Sequence, residues 1–252
     1  MKKNLLFIGL MLALSLSASA QNDGFAFGFK VGPNLGWTGS TTAAAVREGS
    51  RAGFDLGVVA EFYFAENYAI STGVNVGFMG GHYMFDNGRM VTDSLNPEPY
   101  LEMYGVDRIY KTTIYEIPIM LKMVTNELGN APVRIYAQVG AGLGLVPQKV
   151  RVKDAIPADG IVTPDKWSIT NKEYSLFRTS LKIGAGAQYA LDESTRLFAG
   201  FYFSHDFINN INHISPNYAG NYYNENGEKI GDRDTKLNVL QNRVGFEMGV
   251  LF

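Results

Sequence analysis

From Arg243 to Phe252 the chain alternates without a break, and this period-two pattern constrains the fold more than any other feature. Val244, Phe246, Met248, Val250 and Phe252 fall on one face, while Arg243, Gly245, Glu247, Gly249 and Leu251 fall on the other. An almost purely apolar face opposite a charged, glycine-rich one is what a strand needs when lipid lies on one side and a polar lumen on the other. A soluble β-sandwich or lipocalin-like barrel also alternates, with its apolar face inward. Glycine gains little on a solvent-facing strand surface, whereas in a narrow lumen it relieves crowding, so the pattern favours the membrane barrel.

Eight segments repeat the rule: Phe25–Gly36, Arg51–Phe64, Tyr68–Phe85, Ile109–Val124, Val133–Val146, Ser175–Ala190, Thr195–Phe207 and Lys236–Phe252. Each is long enough to cross a hydrocarbon layer, which takes about 9–11 strand residues. The connections alternate in length. Ala65-Glu66-Asn67, Thr125–Pro132 and Leu191–Ser194 are short, whereas Trp37–Ser50, Asp86–Arg108, Pro147–Tyr174 and Ile208–Thr235 are long and rich in Pro, Gly, Asn and Asp. The expected fold is all-β: an eight-stranded antiparallel transmembrane β-barrel with short periplasmic turns and long extracellular loops. Both termini are then periplasmic, and an even strand number closes the sheet without an edge.

The first twenty residues carry Lys2 and Lys3, an apolar run from Leu5 to Leu16 and a small-residue end at Ala18-Ser19-Ala20. They read as a signal peptide over residues 1–20, with the barrel domain over 21–252, placing the chain in the cell outer membrane. With no cysteine the exported chain is not a disulfide scaffold, and a formal charge of −2 argues against a nucleic-acid partner.

A barrel of eight strands has room only for packed side chains. Inward charges must therefore be paired, because an unpaired one in a low-dielectric interior costs several kcal/mol. Lys30, Glu61, Glu116, Lys122, Arg178, Lys182, Arg243 and Glu247 all fall on inward positions, and they are expected to form an ion-pair network in place of a wide pore. Trp37, Tyr68, Tyr115, Tyr189 and Phe252 fit interfacial girdles. Pro118 removes a ladder donor in mid-strand, so a bulge or local break is expected there.

Beyond the lumen, chemistry is sparse. Ser204 or Ser215, His205 or His213, and Asp206 or Glu225 could be assembled on paper into a hydrolase triad, but adjacent His205 and Asp206 point to opposite faces of a regular strand. His82 reads as a rim residue. No catalytic, cofactor-binding or metal-ligating set is expected, and Asp232-Arg-Asp234 reads as a solvated turn. The tyrosine- and asparagine-rich stretches 209–212 and 217–224 could offer adaptable contacts to a protein or glycan, or be plain strand extensions and loop.

Gly28-Phe-Lys-Val-Gly-Pro-Asn-Leu-Gly36, Tyr115-Glu-Ile-Pro-Ile-Met-Leu-Lys122 and Gly245-Phe-Glu-Met-Gly-Val-Leu-Phe252 together resemble the PorT-like outer-membrane β-barrel proteins of Bacteroidetes. The Glu116-Ile117-Pro118 step is the most specific piece. The resemblance implies an eight-stranded barrel and insertion by the outer-membrane assembly machinery with Phe252 as its recognition feature; the membrane-barrel reading itself makes outer-membrane lipid and lipopolysaccharide the expected surroundings. It implies no functional residue set. The function read from the chain is a structural, assembly or surface-interaction role, with a narrow small-solute channel and a lipid-modifying enzyme as alternatives.

Overall fold

The structure, a computed structural model, describes residues 24–40, 45–91, 100–147, 149–155, 167–171, 174–209, 221–223, 229–232 and 239–252. The strands are β1 (Phe25–Ser40), β2 (Ala45–Ala65), β3 (Tyr68–Val91), β4 (Tyr100–Val124), β5 (Val133–Leu145), β6 (Lys149–Ala155), β7 (Ser168–Asn171), β8 (Phe177–Ala190), β9 (Arg196–Asp206), β10 (Asn221–Tyr223), β11 (Lys229–Asp232) and β12 (Val239–Leu251). Eight of them, β1, β2, β3, β4, β5, β8, β9 and β12, pair in sequence as antiparallel neighbours, and β12 returns to β1 to close the barrel. The residues expected to lead the chain, 1–20, lie outside the described residues.

The ladders fix how the barrel is wound. Followed from partner to partner, Phe27 leads to Ala60, Thr72, Ile119, Ala141, Leu181, His205 and Asn242 and comes back to β1 at Trp37, ten residues further along. For eight strands with ordinary rise and spacing, that stagger corresponds to a tilt of about 40° and a backbone radius of about 8 Å. Such a cylinder holds side chains and little else.

Alternation places the two chemistries. On β4, Tyr115, Ile117, Ile119, Leu121 and Met123 are exposed on the outer surface, while Glu116, Met120 and Lys122 are buried inside. The same division holds on β12, where Val244 and Met248 are exposed and Arg243, Glu247 and Leu251 are buried. Tyr68 and Phe78, both exposed, lie ten residues apart on β3. At the tilt just derived this is a vertical separation of about 25 Å, the height of an apolar membrane band. Tyr68 and Tyr189 stand at the short-turn end and Tyr115 toward the long-loop end, all exposed. Trp37 is partly covered by Phe203, ring centroids 6.2 Å apart.

Two features differ from the sequence expectation, the first only in part. The local break expected at Pro118 is present, since the β3–β4 ladder lapses there, but no bulge accompanies it: β3 and β4 keep one register on both sides of the lapse, and β4 pairs with β5 straight through Pro118. Thr72 Oγ1 donates to the Pro118 carbonyl at 2.7 Å, so the missing N–H faces β3. The position opposite is Gly73, where φ is 153° and a Cβ would run into the Val58 carbonyl oxygen. The β2–β3 ladder is where register shifts occur, on β2 between Arg47 and Gly49, between Gly49 and Phe54, and between Tyr63 and Ala65. The second difference is that the long connections carry strands. β5 ends at Leu145 while β4 runs far beyond it, and β6 covers the edge so exposed by pairing with Asp107–Lys111, with β7 beside it. β10 and β11 form a separate pair.

Candidate functional site

The inside of the barrel is a column of charges closed at both ends. At the short-turn end Ala26, Val59, Val124, Tyr136, Phe198 and Leu251 form a buried cluster. Immediately above it Lys122 Nζ donates to Glu61 Oε1, and the Tyr63 hydroxyl donates to Glu61 Oε2 at 2.7 Å. The Lys122 ammonium also stands 4.3 Å from the centroid of the Tyr136 ring, so the plug and the first ion pair are one unit.

Half-way up, Lys30 Nζ and Gln138 Nε2 each donate to a different oxygen of Glu247, both at 3.0 Å. The next tier is shared. Lys182 Nζ donates to Glu116 Oε1, Arg243 Nη2 donates to Glu116 Oε2 at 3.3 Å, and Arg243 Nη1 donates to Asp55 Oδ1 at 3.0 Å. The Tyr202 hydroxyl donates to the second oxygen of Asp55. Highest of all, Arg178 Nε donates to Asp206 Oδ1 at 2.7 Å, with both side chains buried.

At the long-loop end Tyr83, Tyr110 and Tyr174 pack into a buried aromatic cap. The Tyr110 centroid lies 6.0 Å from Tyr83 and 5.3 Å from Tyr174, and the Tyr83 and Tyr174 hydroxyls are 3.4 Å apart. Tyr174 is supplied by the connection between β7 and β8, which thereby closes the barrel over the charges. Burial pushes the Tyr174 phenol well above its ordinary pKa, keeping it neutral.

Of the eight inward charges read from the sequence, seven meet one another: Lys30 with Glu247, Glu61 with Lys122, and Glu116 with both Lys182 and Arg243. The eighth, Arg178, meets Asp206. Asp55 and Asp206 were outside that set, and they change its balance. Three acids and five bases become Asp55, Glu61, Glu116, Asp206 and Glu247 against Lys30, Lys122, Arg178, Lys182 and Arg243, five against five. A surplus of two positive charges in an enclosed lumen is itself the signal that two inward carboxylates were missing.

Little room remains between these groups. Two internal voids border the network, one beside Asp55, Asn75 and Arg243 and one beside Ser71, Gln138 and Glu247, each about 20 Å³, enough for about one water apiece. A far larger concavity of about 1070 Å³ is bordered by outward side chains such as Phe29, Leu56, Val74 and Met248. It lies on the apolar outer wall. Inward glycines make the packing possible: a Cβ at Gly245 would enter the Tyr202 ring, and one at Gly200 would meet the Tyr136 hydroxyl.

The triad imagined on β9 is not assembled. Ser204 and Asp206 are buried inside, Asp206 is engaged by Arg178, and His205 Nδ1 contacts Asn242 Oδ1 at 2.6 Å. His82 Nε2 contacts Asp107 instead. His213, Ser215 and Glu225 lie outside the described residues, as does Asp234 and most of the asparagine- and tyrosine-rich stretch. Asn209 Oδ1 accepts from the Val239 amide at 2.9 Å, fastening the base of the last long connection.

Residues 8–239 match the family described as outer membrane protein beta-barrel domain. Among solved structures the chain is similar to Neisserial surface protein A, at 14% identity and a TM-score of 0.41, over 91% of this chain and 96% of that one. It is also similar to Ail, the attachment invasion locus protein of Yersinia pestis, at 16% identity and a TM-score of 0.36, over 92% of this chain and 100% of that one. The N-terminal β-barrel domain of Pseudomonas aeruginosa OprF aligns at 10% identity and a TM-score of 0.36, over 91% and 99% of the two chains. No curated protein matches.

Proposed function

This chain belongs to the outer membrane protein beta-barrel domain family, and we propose that within it the molecule is a sealed membrane scaffold with a structural or surface-interaction role. It crosses the outer membrane eight times, with both termini periplasmic. The observation that carries the reading is the neutral column of five acids and five bases held between an apolar plug and a tyrosine cap. A solute channel would need a continuous wet path, and the charges that would line it are instead occupied with one another.

Strand lengths point to where the work is done. β3 and β4 continue to Val91 and Tyr100, far above the ends of β5, β9 and β12, and β6 and β7 add to them. One side of the barrel thus projects a sheet beyond the membrane as a rigid base for the long connections, where a protein or glycan partner would bind. We place the chain with the PorT-like barrels of Bacteroidetes on the Glu116-Ile117-Pro118 step. Residues 1–20 act as its signal peptide, and Phe252 as its mark for the assembly machinery.

The test is conductance. Purified, refolded protein in a planar bilayer is expected to give no reproducible channel steps, while Tyr83→Ala with Tyr174→Ala, which opens the cap, still gives none because the ion-pair column remains. Regular steps from the wild-type protein would overturn the sealed-scaffold reading in favour of a narrow channel.

A further inference from the structure

On the outer wall, three cations converge where the apolar band ends. Lys111 continues the outward row of β4, two positions above Thr113 and four above exposed Tyr115. Arg151 is its direct partner across the β4–β6 ladder. Val150 and Val152 are buried on the opposite face of β6, which turns Arg151 outward, where it is exposed. Arg51 arrives from β2 at the register shift between Gly49 and Phe54, and its Cδ lies 3.2 Å from where a Cβ on Gly80 would stand, so that glycine lets the side chain cross β3.

Together with Phe78, Thr112 and Thr113 these three border a cavity of about 280 Å³. Trp167 stands against two of these cations: its ring centroid is 4.5 Å from Lys111 Nζ and 6.0 Å from the Arg51 guanidinium carbon. Among the described residues no carboxylate pairs with Arg51, Lys111 or Arg151. Like charges directly opposite on a ladder repel, and Lys111 facing Arg151 is such a pair. Charges that are close together, uncompensated and gathered around a cavity call for an anion.

We propose that this cluster is a binding site for the phosphate of an outer-leaflet lipid headgroup. Height selects a lipid over a free anion. Phe78 at the cavity floor marks the top of the apolar band, so a bound phosphate would sit where headgroups lie. Below it the outer wall continues through Leu56, Val58, Val74 and Val76, which border the large apolar concavity and would receive acyl chains. Arg51 and Arg151 supply the planar forks that hold phosphate oxygens, and Lys111 supplies a point charge between them.

The experiment uses the full mature barrel in an uncharged detergent, with Trp37→Phe so that Trp167 fluorescence reports alone; the chain has two tryptophans. Short-chain phosphatidic acid, phosphatidylcholine of equal chain length and inorganic phosphate are titrated in parallel. Phosphatidic acid is expected to saturate the signal, with affinity at least tenfold above either control, because each juxtamembrane cation adds to attraction for an anionic headgroup. A triple variant R51Q/K111Q/R151Q should weaken it at least tenfold, and Arg151→Gln alone, at an exposed position, should weaken it several-fold without touching the fold. Equal binding of phosphatidylcholine would leave only an apolar groove, equal binding of inorganic phosphate an aqueous anion site, and undiminished binding by Arg151→Gln and the triple variant would remove these residues from recognition. Each of the three overturns the proposal, and none bears on whether the lumen conducts.

Discussion

The five cations of the inner ion-pair column and three on the outer rim are built from the same residue types, yet the five all have carboxylate partners and the three have none among the described residues. Inside, the closed ladders leave room for little water, and a charge without its counter-charge would raise the energy of the fold by several kcal/mol. Outside, at the edge of the apolar band, water and headgroups solvate a free cation at little cost, so it is available to a ligand. Identical chemistry therefore serves stability in one place and recognition in the other. What decides between them is the stagger and parity that assign each residue to a face.

The largest effect expected from this contrast comes from breaking the shared inner tier. Among the described residues, Glu116→Leu leaves Lys182 without a carboxylate partner and Arg243 with Asp55 as its one carboxylate. Removing one member of a buried pair is expected to destabilise the barrel by about 3–5 kcal/mol. The measurement is the urea midpoint of the folded band in heat-modifiability gels. Adding Lys182→Met should recover part of the loss, because the double change removes both charges. If Glu116→Leu unfolds no more easily than wild type, the inner charges are not the structural half of the comparison.

A smaller effect tests whether the lumen is as full as its pairs imply. Gly245→Val places a side chain where the Tyr202 ring lies, and Tyr202 in turn holds Asp55. Overpacking of this kind is expected to destabilise by about 1–3 kcal/mol. On the outer wall the same step has room: Ala52→Val, at an exposed position, should leave the midpoint nearly unchanged. Equal tolerance at both positions would show that the lumen has slack.

Much of this was legible in the sequence because side chains on a strand have a period of two. The row Tyr115, Ile117, Ile119, Leu121 and Met123 needed no coordinates to be assigned outward, nor did Glu116 and Lys122 to be assigned inward. Which inward charge meets which depends on the ten-residue stagger, a property of all eight ladders at once that no single segment reveals. Asp206 was hidden for another reason: it ends its strand beside His205, where an acid reads as rim chemistry, yet it is buried against Arg178. β6 and β7 were hidden because they are short and lie in a connection rich in turn formers, and β6 owes its place to the unpaired upper edge of β4. The cationic rim needed both the β2 register shift and β6, so its three members, from distant segments, could not be gathered by pattern alone.

Neutralising the rim should show the other half of the contrast. R51Q/K111Q/R151Q is expected to shift folding stability by no more than about 0.5 kcal/mol, as for surface changes that break no buried pair. Relief of the repulsion between Lys111 and Arg151 makes a slight gain the expected sign in lipid-free detergent. A loss comparable to that of Glu116→Leu would mean that the rim, too, is structural.

The smallest effect lies at the short-turn end, in the connection between β8 and β9. Asp192 accepts from the backbone N–H of Ser194 at 2.9 Å and of Thr195 at 2.7 Å, and from Ser194 Oγ at 3.0 Å, and these donors hold its carboxyl below the usual carboxylate range. Because the folded pKa is depressed, the turn's contribution is present above the unfolded value of about 3.9 and is lost as pH falls through the folded one. Asp192→Asn keeps an oxygen acceptor but removes the charge. Wild type should therefore be marginally the more stable above about pH 5, with the two urea midpoints converging in stronger acid. A gap of constant size across that range would assign the turn's stability to its shape. Water reaches this carboxylate freely, as it does the rim cations, so the sign of the effect is set by hydrogen bonds and its size stays far below that of the buried pairs.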